Sequence, residues 1–508
     1  MEWLVVVLDF IGKQILNVPA YLIGIITAIG LIALRRNAGQ VVGGALKAAI
    51  GFLILGAGAT VVTGALDPLG TLILAVTGAQ GVIPTNEVIA AVAQEQYGAQ
   101  SAYVLVLGFL VMLALARFTP LKYIFLTGHH MVFMSVLLTV VLSVGLGSGL
   151  SWLTVVLGAV LLGVIMVVMP AFAQPFMKKI TGDDSIAIGH FGTLGYVAAA
   201  SAGIAVGSKS KSTEEIKFPQ GLKFLRDSMV ATSLSMVLIY LVFTIWGLIS
   251  LPQAEAFEIF GVTDAGAFIM AGFAQALQFG VGVAIILYGV RTVLGELVPA
   301  FQGIAEKVVP GAKPALDIPL VFPYGANAVL IGFLSSFAGG LVALGVLAAW
   351  LNPVFGLALI LPGMVPHFFT GGGAGVFGNA TGGRRGAVVG GFVNGLIITF
   401  LPAILLLVLG NLGFANSTFG DADFGWFGTL IGASFLGSPM VGVVLSLVIG
   451  AALVIGASIY QIKLVDGGWV PGLKRDERLA AEKAVADAEA KRAKEAAAAS
   501  STTRTSAS

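Results

Sequence analysis

The sequence predicts an all-α polytopic membrane protein with about eleven transmembrane helices plus re-entrant hairpins. Three observations predict it. First, 57% of the 508 residues are hydrophobic and only 10% are charged, against roughly a quarter charged in soluble domains. Second, Asp, Glu, Lys and Arg are missing from long runs at 14–34, 48–66, 68–86, 96–116, 123–177, 228–254, 265–290, 318–383, 386–420 and 424–462. Third, 123–177 and 318–383 are too long for one span and contain helix breakers. Each is expected to hold a re-entrant hairpin with one or two spanning helices. At ~20 apolar residues per span, the runs amount to roughly 10–11 spans.

The elements follow in order. In residues 1–20, Asp9 and Lys13 interrupt the apolar stretch and no small-residue cleavage site follows. An interfacial or partly inserted helix is expected there, not a cleaved signal. Arg35 and Arg36 close the first run and belong inside by the positive-inside rule, which puts the N-terminus outside. The loop 205–227 carries Lys209, Lys211, Lys217, Lys223 and Arg226 and is expected to be cytoplasmic too. The membrane domain is expected to span 1–465. From 466 to 508 follows a charged, Ala-rich cytoplasmic tail, with 14 of the chain's 52 charged residues beyond position 473. That density suits a solvated helix, weakly supported by Asp487 and Lys491 at i, i+4, with a disordered end.

Glycine, at 69 residues, lets helices approach closely and permits broken helices where the backbone is buried in protein. Most are expected to serve packing. The segment FLTGHHMVF at 125–133 parallels FFTGGGAGVF at 368–377. They lie about half the chain apart, each within an overlong run. Duplicated, broken segments in corresponding positions point to a transporter's binding site. The likeness of RRNAGQVVGG (35–44) to RRGAVVGG (384–391) is taken as chance.

Polar residues in apolar segments are costly and face a protein interior or a watery cavity. All four histidines are of this kind: His129, His130, His190 and His367. The adjacent pair His129–His130, on a Thr-Gly tip, is a candidate for hydrogen bonding a polar solute. A helix–helix hydrogen bond accounts equally well for the lone His367. Asp317 precedes the uncharged run 318–383, with Pro314, Pro319 and Pro323 around it. Its carboxylate can accept two hydroxyl hydrogen bonds or simply cap a loop. Asn86 and Glu87 form a polar break after Gly81 and Pro84. Glu296, five residues after Arg291, is expected in an intrahelical or interhelical ion pair.

Other classes find no support. The absence of cysteine removes disulfides and thiolate metal sites. Adjacent histidines without a close acidic partner in sequence are a poor metal set. A net charge of +2 implies no nucleic acid. No phosphate-binding Gly-Lys-Ser/Thr loop or hydrolase triad spacing occurs, so neither catalytic residues nor a cofactor are expected.

The run RRNAGQVVGGALKAAIGFLILGAGA, then GVIPTNE (81–87), FLTGHH (125–130), SIAIGH (185–190), GVRTVLGELVPAFQGIAEKVVPGAKPALD (289–317) and PYGANAV (323–329) resembles the ascorbate-specific EIIC permease family of the bacterial phosphotransferase system. The match runs in order to about residue 460. The resemblance implies a multi-pass protein of the bacterial cell membrane. It implies a homodimer whose protomers each have a V-motif domain and a core domain built from inverted repeats. The core would carry L-ascorbate or a related sugar acid by an elevator movement. Separate cytoplasmic EIIB and EIIA proteins would supply the phosphoryl group, so the chain itself is a transport subunit and not an enzyme. The implied substrate contacts are Asn86, Glu87, His129, His130, Phe133, His190, Phe191 and Asp317. Phe133 and Phe191 stand where family members carry glutamine, and Glu87 where a tyrosine occurs; these departures bear on the substrate. An ion-coupled secondary transporter with Asp317 or Glu87 binding the ion, or a passive channel, is the competing expectation.

Overall fold

The computed structural model describes residues 18–147, 151–216, 228–410 and 416–480, with Lys483, Ala484 and Asp487. Expectations about residues 1–17, about Lys217, Lys223 and Arg226, and about the far end of the tail lie outside the described residues. The α-helices longer than one turn, in chain order, are α1 (Pro19–Ala33), α2 (Ala38–Thr77), α3 (Asn86–Phe118), α4 (Gly128–Leu146), α5 (Ser151–Thr181), α6 (Thr193–Val206), α7 (Ser228–Ser250), α8 (Gln253–Glu258), α9 (Ala265–Val308), α10 (Ala326–Val346), α11 (Met364–Leu405), α12 (Ala422–Ala433) and α13 (Pro439–Tyr460). Among the described residues, nine are long and apolar enough to cross a membrane: α2 to α5, α7, α9, α10, α11 and α13. The apolar α1 and α6 are shorter. The chain is an all-α polytopic membrane protein.

Local chemistry sets the helix ends. A reciprocal capping box of Asn37 and Gln40 starts α2, which closes on Gly78 at φ 70°. That left-handed turn favours glycine, which has no Cβ to clash. α11 is two helices in one, because Gly383 sits at φ 61°, ψ −149° within it. The backbone there accepts the strand-like segment 210–212: Arg384 N–H donates to the Lys211 carbonyl, and Arg384 Nε to the Ser212 carbonyl.

The overlong runs do break internally. Run 123–177 holds a strand, then α4 and α5; run 318–383 holds a 3₁₀ turn, α10, a strand and the first half of α11. Six short strands occur among the described residues: β1 (Gly81–Pro84), β2 (Tyr123–Phe125), β3 (Ala187–Ile188), β4 (Lys313–Leu316), β5 (Leu359–Ile360) and β6 (Ser417–Thr418). They form two parallel three-stranded sheets, ordered β5-β1-β6 and β2-β4-β3. The first three strands belong to the first half of the chain and the last three to the second. Exchanging the halves, so that β1 becomes β4, β2 becomes β5 and β3 becomes β6, maps one sheet onto the other. Each sheet thus has a central strand from one half and two flanking strands from the other.

This topology corrects the register of the sequence repeat. FLTGHH ends a strand and opens α4, whereas FFTGGG lies wholly inside α11. The counterpart of β2 is Leu359–Ile360, ahead of that motif. The start of the tail is helical, as expected, but it packs on the rest of the chain. Residues 473–480 are helical, Arg475 is buried with its Nε on the Ser210 carbonyl, and Lys179 pairs with Asp476.

Two helices form one wall beside the sheets. α2 and α9 pack along a seam of glycines and small apolar residues, where Gly51 faces Gly289 and Gly58 faces Ile286. Glu296 pairs across this seam with Lys47 at 2.9 Å; Arg291, its neighbour in sequence, is not its partner. A Cβ on Gly289 would lie 2.7 Å from the Gly51 carbonyl oxygen and from the Leu55 nitrogen, backbone atoms that cannot swing aside. Gly289→Ala is expected to lower stability by about 1–3 kcal/mol, as overpacking does. Thermal unfolding of the purified variant in detergent checks this, and an unchanged midpoint would place the seam elsewhere.

Candidate functional site

Every strand leads within a few residues into a helical segment. β1 runs into α3, β2 into α4, β3 into α6, β4 into the 3₁₀ turn Ile318–Tyr324, β5 into α11 and β6 into α12. All six junctions line one cavity of about 360 Å³. They bring Asn86 and Glu87, His129 and His130, His190, Asp317 and Pro319, Val365 and Pro366, and Asp421 to its surface. Phe133 and Phe369 add rings, and α9 closes the far side with Val283, Leu287, Val290, Arg291 and Leu294. Helix N-termini carry partial positive charge and free N–H groups, so the junctions favour oxygen-bearing guests.

The side chains are held by their neighbours in the sheets. Asn86 Oδ1 accepts from the Gly420 N–H at 2.7 Å, and its Nδ2 donates to Asp421 Oδ2 at 2.9 Å. This ties the β1 junction to the β6 junction. Gly189 precedes His190 where a Cβ would overlap the Ala315 backbone, so only glycine lets β3 lie against β4. Asp317 caps the 3₁₀ turn by accepting the Ile318 N–H at 2.7 Å. Its carboxylate stands 3.5 Å from His129 Nε2 and 3.8 Å from His190 Nε2. Across the cavity floor, Asp421 Oδ2 stands 3.8 Å from His130 Nε2 and 4.0 Å from His190 Nε2. Asp421 is nearly closed off, at 4% side-chain exposure, while Asp317 is open, at 37%.

Two backbone amides fix the histidine tautomers. Phe191 N–H donates to His130 Nδ1 at 3.3 Å, and Gly192 N–H to His190 Nδ1 at 3.0 Å. A ring nitrogen that accepts cannot carry the proton, so each neutral imidazole presents Nε2–H to the carboxylates. Tyr196 Oη lies 2.9 Å from the same His190 Nδ1. The same bonds bear on metals. His129, His130 and Asp317, and separately His130, His190 and Asp421, place their ligand atoms within 4.8 Å of one another. The acids missing from the sequence neighbourhood are therefore close in space. A ligating histidine, however, normally donates its other ring N–H. Here that nitrogen accepts, in a residue common to both sets, and Nε2 keeps its proton. The arrangement suits donors and acceptors for hydroxyl groups better than a cation.

Separations of 3.5–4.0 Å exceed a direct hydrogen bond. They leave Nε2–H donors and carboxylate acceptors free to bind oxygens placed between them. Polyhydroxylated solutes need such alternating groups, because each hydroxyl both donates and accepts.

Seven of the eight residues singled out in the sequence line this cavity. Phe191 does not. Its buried ring stacks on Phe125 at 4.7 Å and meets Phe424 edge-on at 5.5 Å, while its backbone serves His130. His367 lies apart, with Nδ1 2.8 Å from Ser336 Oγ, the helix–helix bond already weighed for it. Sequence reasoning missed Asp421 and Asp423. The signal was there: the runs 386–420 and 424–462 stop at these two acids, which is the pattern that singled out Asp317.

Fold and site together define a polytopic membrane transport protein with an internal polar cavity. Residues 14–423 match the family described as the PTS system sugar-specific permease component, EIIC-GAT, and the chain belongs to this family of transport subunits. It is 30% identical over 430 residues to the ascorbate-specific PTS system EIIC component of Mycoplasma pneumoniae, a match covering 76% of this chain and 65% of that relative. The matched region thus spans just under two thirds of the relative's length.

Asp423 shows how the site is braced. Its carboxylate accepts from Thr193 N–H (2.8 Å), Leu194 N–H (3.0 Å) and Trp426 Nε1–H (2.9 Å), capping α6 from another chain segment. Asp423→Ala strands buried donors at about 1–3 kcal/mol each. A lowered unfolding temperature is the expected result; a variant as stable as the parent would remove Asp423 from this bracing role.

Proposed function

We propose that the chain is the membrane permease component of a phosphoenolpyruvate-dependent phosphotransferase system. It takes L-ascorbate or a related sugar acid through the cavity, and a separate EIIB protein phosphorylates the solute. The observation that carries this reading is the convergence of six strand-to-helix junctions on a cavity with matched hydroxyl donors and acceptors. The ascorbate-specific relative favours a sugar acid. On this reading the junction-bearing elements are the moving core of an elevator. α9, with α2 packed behind it, belongs to the fixed V-motif domain through which two copies dimerise. The N-terminus lies outside and the basic segment around Lys209 and Lys211 lies in the cytoplasm, where EIIB docks. Phe133, whose ring lies 5.8 Å from His129, replaces an amide donor with an apolar face and narrows the choice of solute.

Uptake into membrane vesicles tests the energy source. Phosphoenolpyruvate with the general carriers is expected to drive accumulation of phosphorylated solute. Accumulation of unmodified solute under a proton gradient alone would instead favour an ion-coupled transporter. Ligand binding to purified protein tests the cavity. His129→Ala is expected to weaken binding by about 1–3 kcal/mol, the cost of one lost hydrogen bond and an unpaired partner. Asp317→Asn keeps the shape, removes the charge, and is expected to reduce affinity with little change in thermal stability. Parental affinity in both variants would rule this cavity out as the binding site.

A further inference from the structure

Arg291 occupies a position that the hydroxyl-binding groups do not account for. It lies on α9, within a candidate span covering Ala265–Glu296. A guanidinium in such a segment is costly unless it faces an aqueous or polar space with a partner. The neighbouring acid in sequence, Glu296, is engaged by Lys47 at 2.9 Å. Among the described residues, no carboxylate lies in ion-pair range of Arg291. Its place on the helix explains what it faces. Gly282, Ile286 and Gly289 form the stripe that packs on α2. Leu287, Arg291 and Leu294 follow the i, i+4, i+7 spacing of an adjacent stripe, and all three line the cavity. A Cβ on Gly128 would touch Leu294 at 2.7 Å and Val298 at 2.7 Å, so this stripe lies directly against the His129 junction.

The cavity therefore has two chemically different walls. The junctions supply carboxylates and imidazole N–H groups, suited to hydroxyls. α9 supplies apolar side chains and one permanent cation. A guanidinium has five N–H donors, no acceptor, and a planar fork that matches a carboxylate or a delocalised oxyanion. It cannot serve the accepting needs of a hydroxyl.

We propose that Arg291 is the charge-reading contact of the cavity: it receives the anionic oxygen of the transported solute from the α9 wall, while Asp317 and the histidines opposite hold its hydroxyls. The ligand class is then a polyhydroxylated compound carrying one delocalised negative charge. This deepens the permease reading and rests on it. It also answers a difficulty of the junction wall, where the Asp317 carboxylate alone would repel such a solute. Arg291 is a specificity-determining residue, and its removal should alter the choice between charged and neutral solutes more than the capacity to bind hydroxyls.

Equilibrium binding to the purified full-length protein in nanodiscs tests this, with two probes: L-ascorbate as the monoanion at pH 7, and a neutral hexitol. The parent is expected to prefer ascorbate. Arg291→Gln is expected to lose ascorbate affinity by at least about tenfold, the scale of one charge-assisted hydrogen bond, with hexitol affinity changed less than about twofold. Arg291→Lys keeps the charge without the fork and should fall between. Ascorbate binding by the parent should weaken with added salt, and that dependence should flatten in Arg291→Gln. Equal losses for both probes would mark Arg291 as structural and overturn the assignment. So would ascorbate affinity unchanged in Arg291→Gln. A parent that binds the hexitol but not ascorbate would overturn the charge-reading role and leave the polyhydroxy-solute permease standing. A parent that binds neither probe would overturn the assignment together with the substrate reading beneath it.

Discussion

A backbone that leaves helical form among apolar helices must still pair its N–H and C=O groups, because no water is at hand to do so. The chain meets this constraint at six places with very short parallel strands. None could stand alone: strands of two to four residues make only a few ladder bonds. Each gains its partners from the other half of the chain. Ile83 N–H donates to the Asn416 carbonyl, Thr85 N–H to Thr418, Leu126 N–H to Ala315 and Gly189 N–H to Leu316. Satisfying the breaks therefore requires the halves to interlock, and interlocking them brings six helix starts to one place. The cavity follows from how the breaks are paired.

The same pairing gives the site its rigidity. Side chains at the junctions are neighbours of neighbours in the sheets, so Asn86, His130 and Asp423 each have a bonded partner on another junction. Asn86 spans β1 to β6, and Asp423 holds the start of α6 from the start of α12. The two histidines receive backbone amides from the segment that follows β3, which fixes their protons toward the carboxylates. Preorganised donors and acceptors lose little freedom when a solute arrives, so more of the interaction energy appears as affinity. α9 lies outside this network. It touches the cavity through apolar side chains and Arg291, and is fastened instead to α2.

Much of this was legible in the sequence. Uncharged runs located the spans, and the breakers within 123–177 and 318–383 located two of the breaks. Histidines and an aspartate beside Gly and Pro identified the polar lining, since such residues have few other reasons to sit there. What stayed hidden depends on contacts between distant segments. Strands of two to four residues carry no measurable alternation, so the sheets and their pairing across the halves left no periodic signal. The FLTG and FFTG match found the right pair of helices in the wrong register, because glycine-rich apolar segments align easily. Glu296 was expected in an intrahelical or interhelical ion pair; it makes an interhelical one, with a partner the sequence did not name, Lys47, 249 positions away. Phe191 was chosen from the family resemblance, while its ring points into the Phe125–Phe424 cluster and only its N–H serves the site. Asp421 and Asp423 were passed over although they interrupt two long uncharged runs.

The central claim is that one solute is held at the meeting point of all six junctions. A cryo-EM map of the purified protein with L-ascorbate bound tests it most directly. The account predicts solute density between Asp317, His129 and His190 on one side and Arg291 on the other, with the strand pairings intact around it. Solute density outside the cavity, or within it but contacting residues of one sheet alone, would contradict the account.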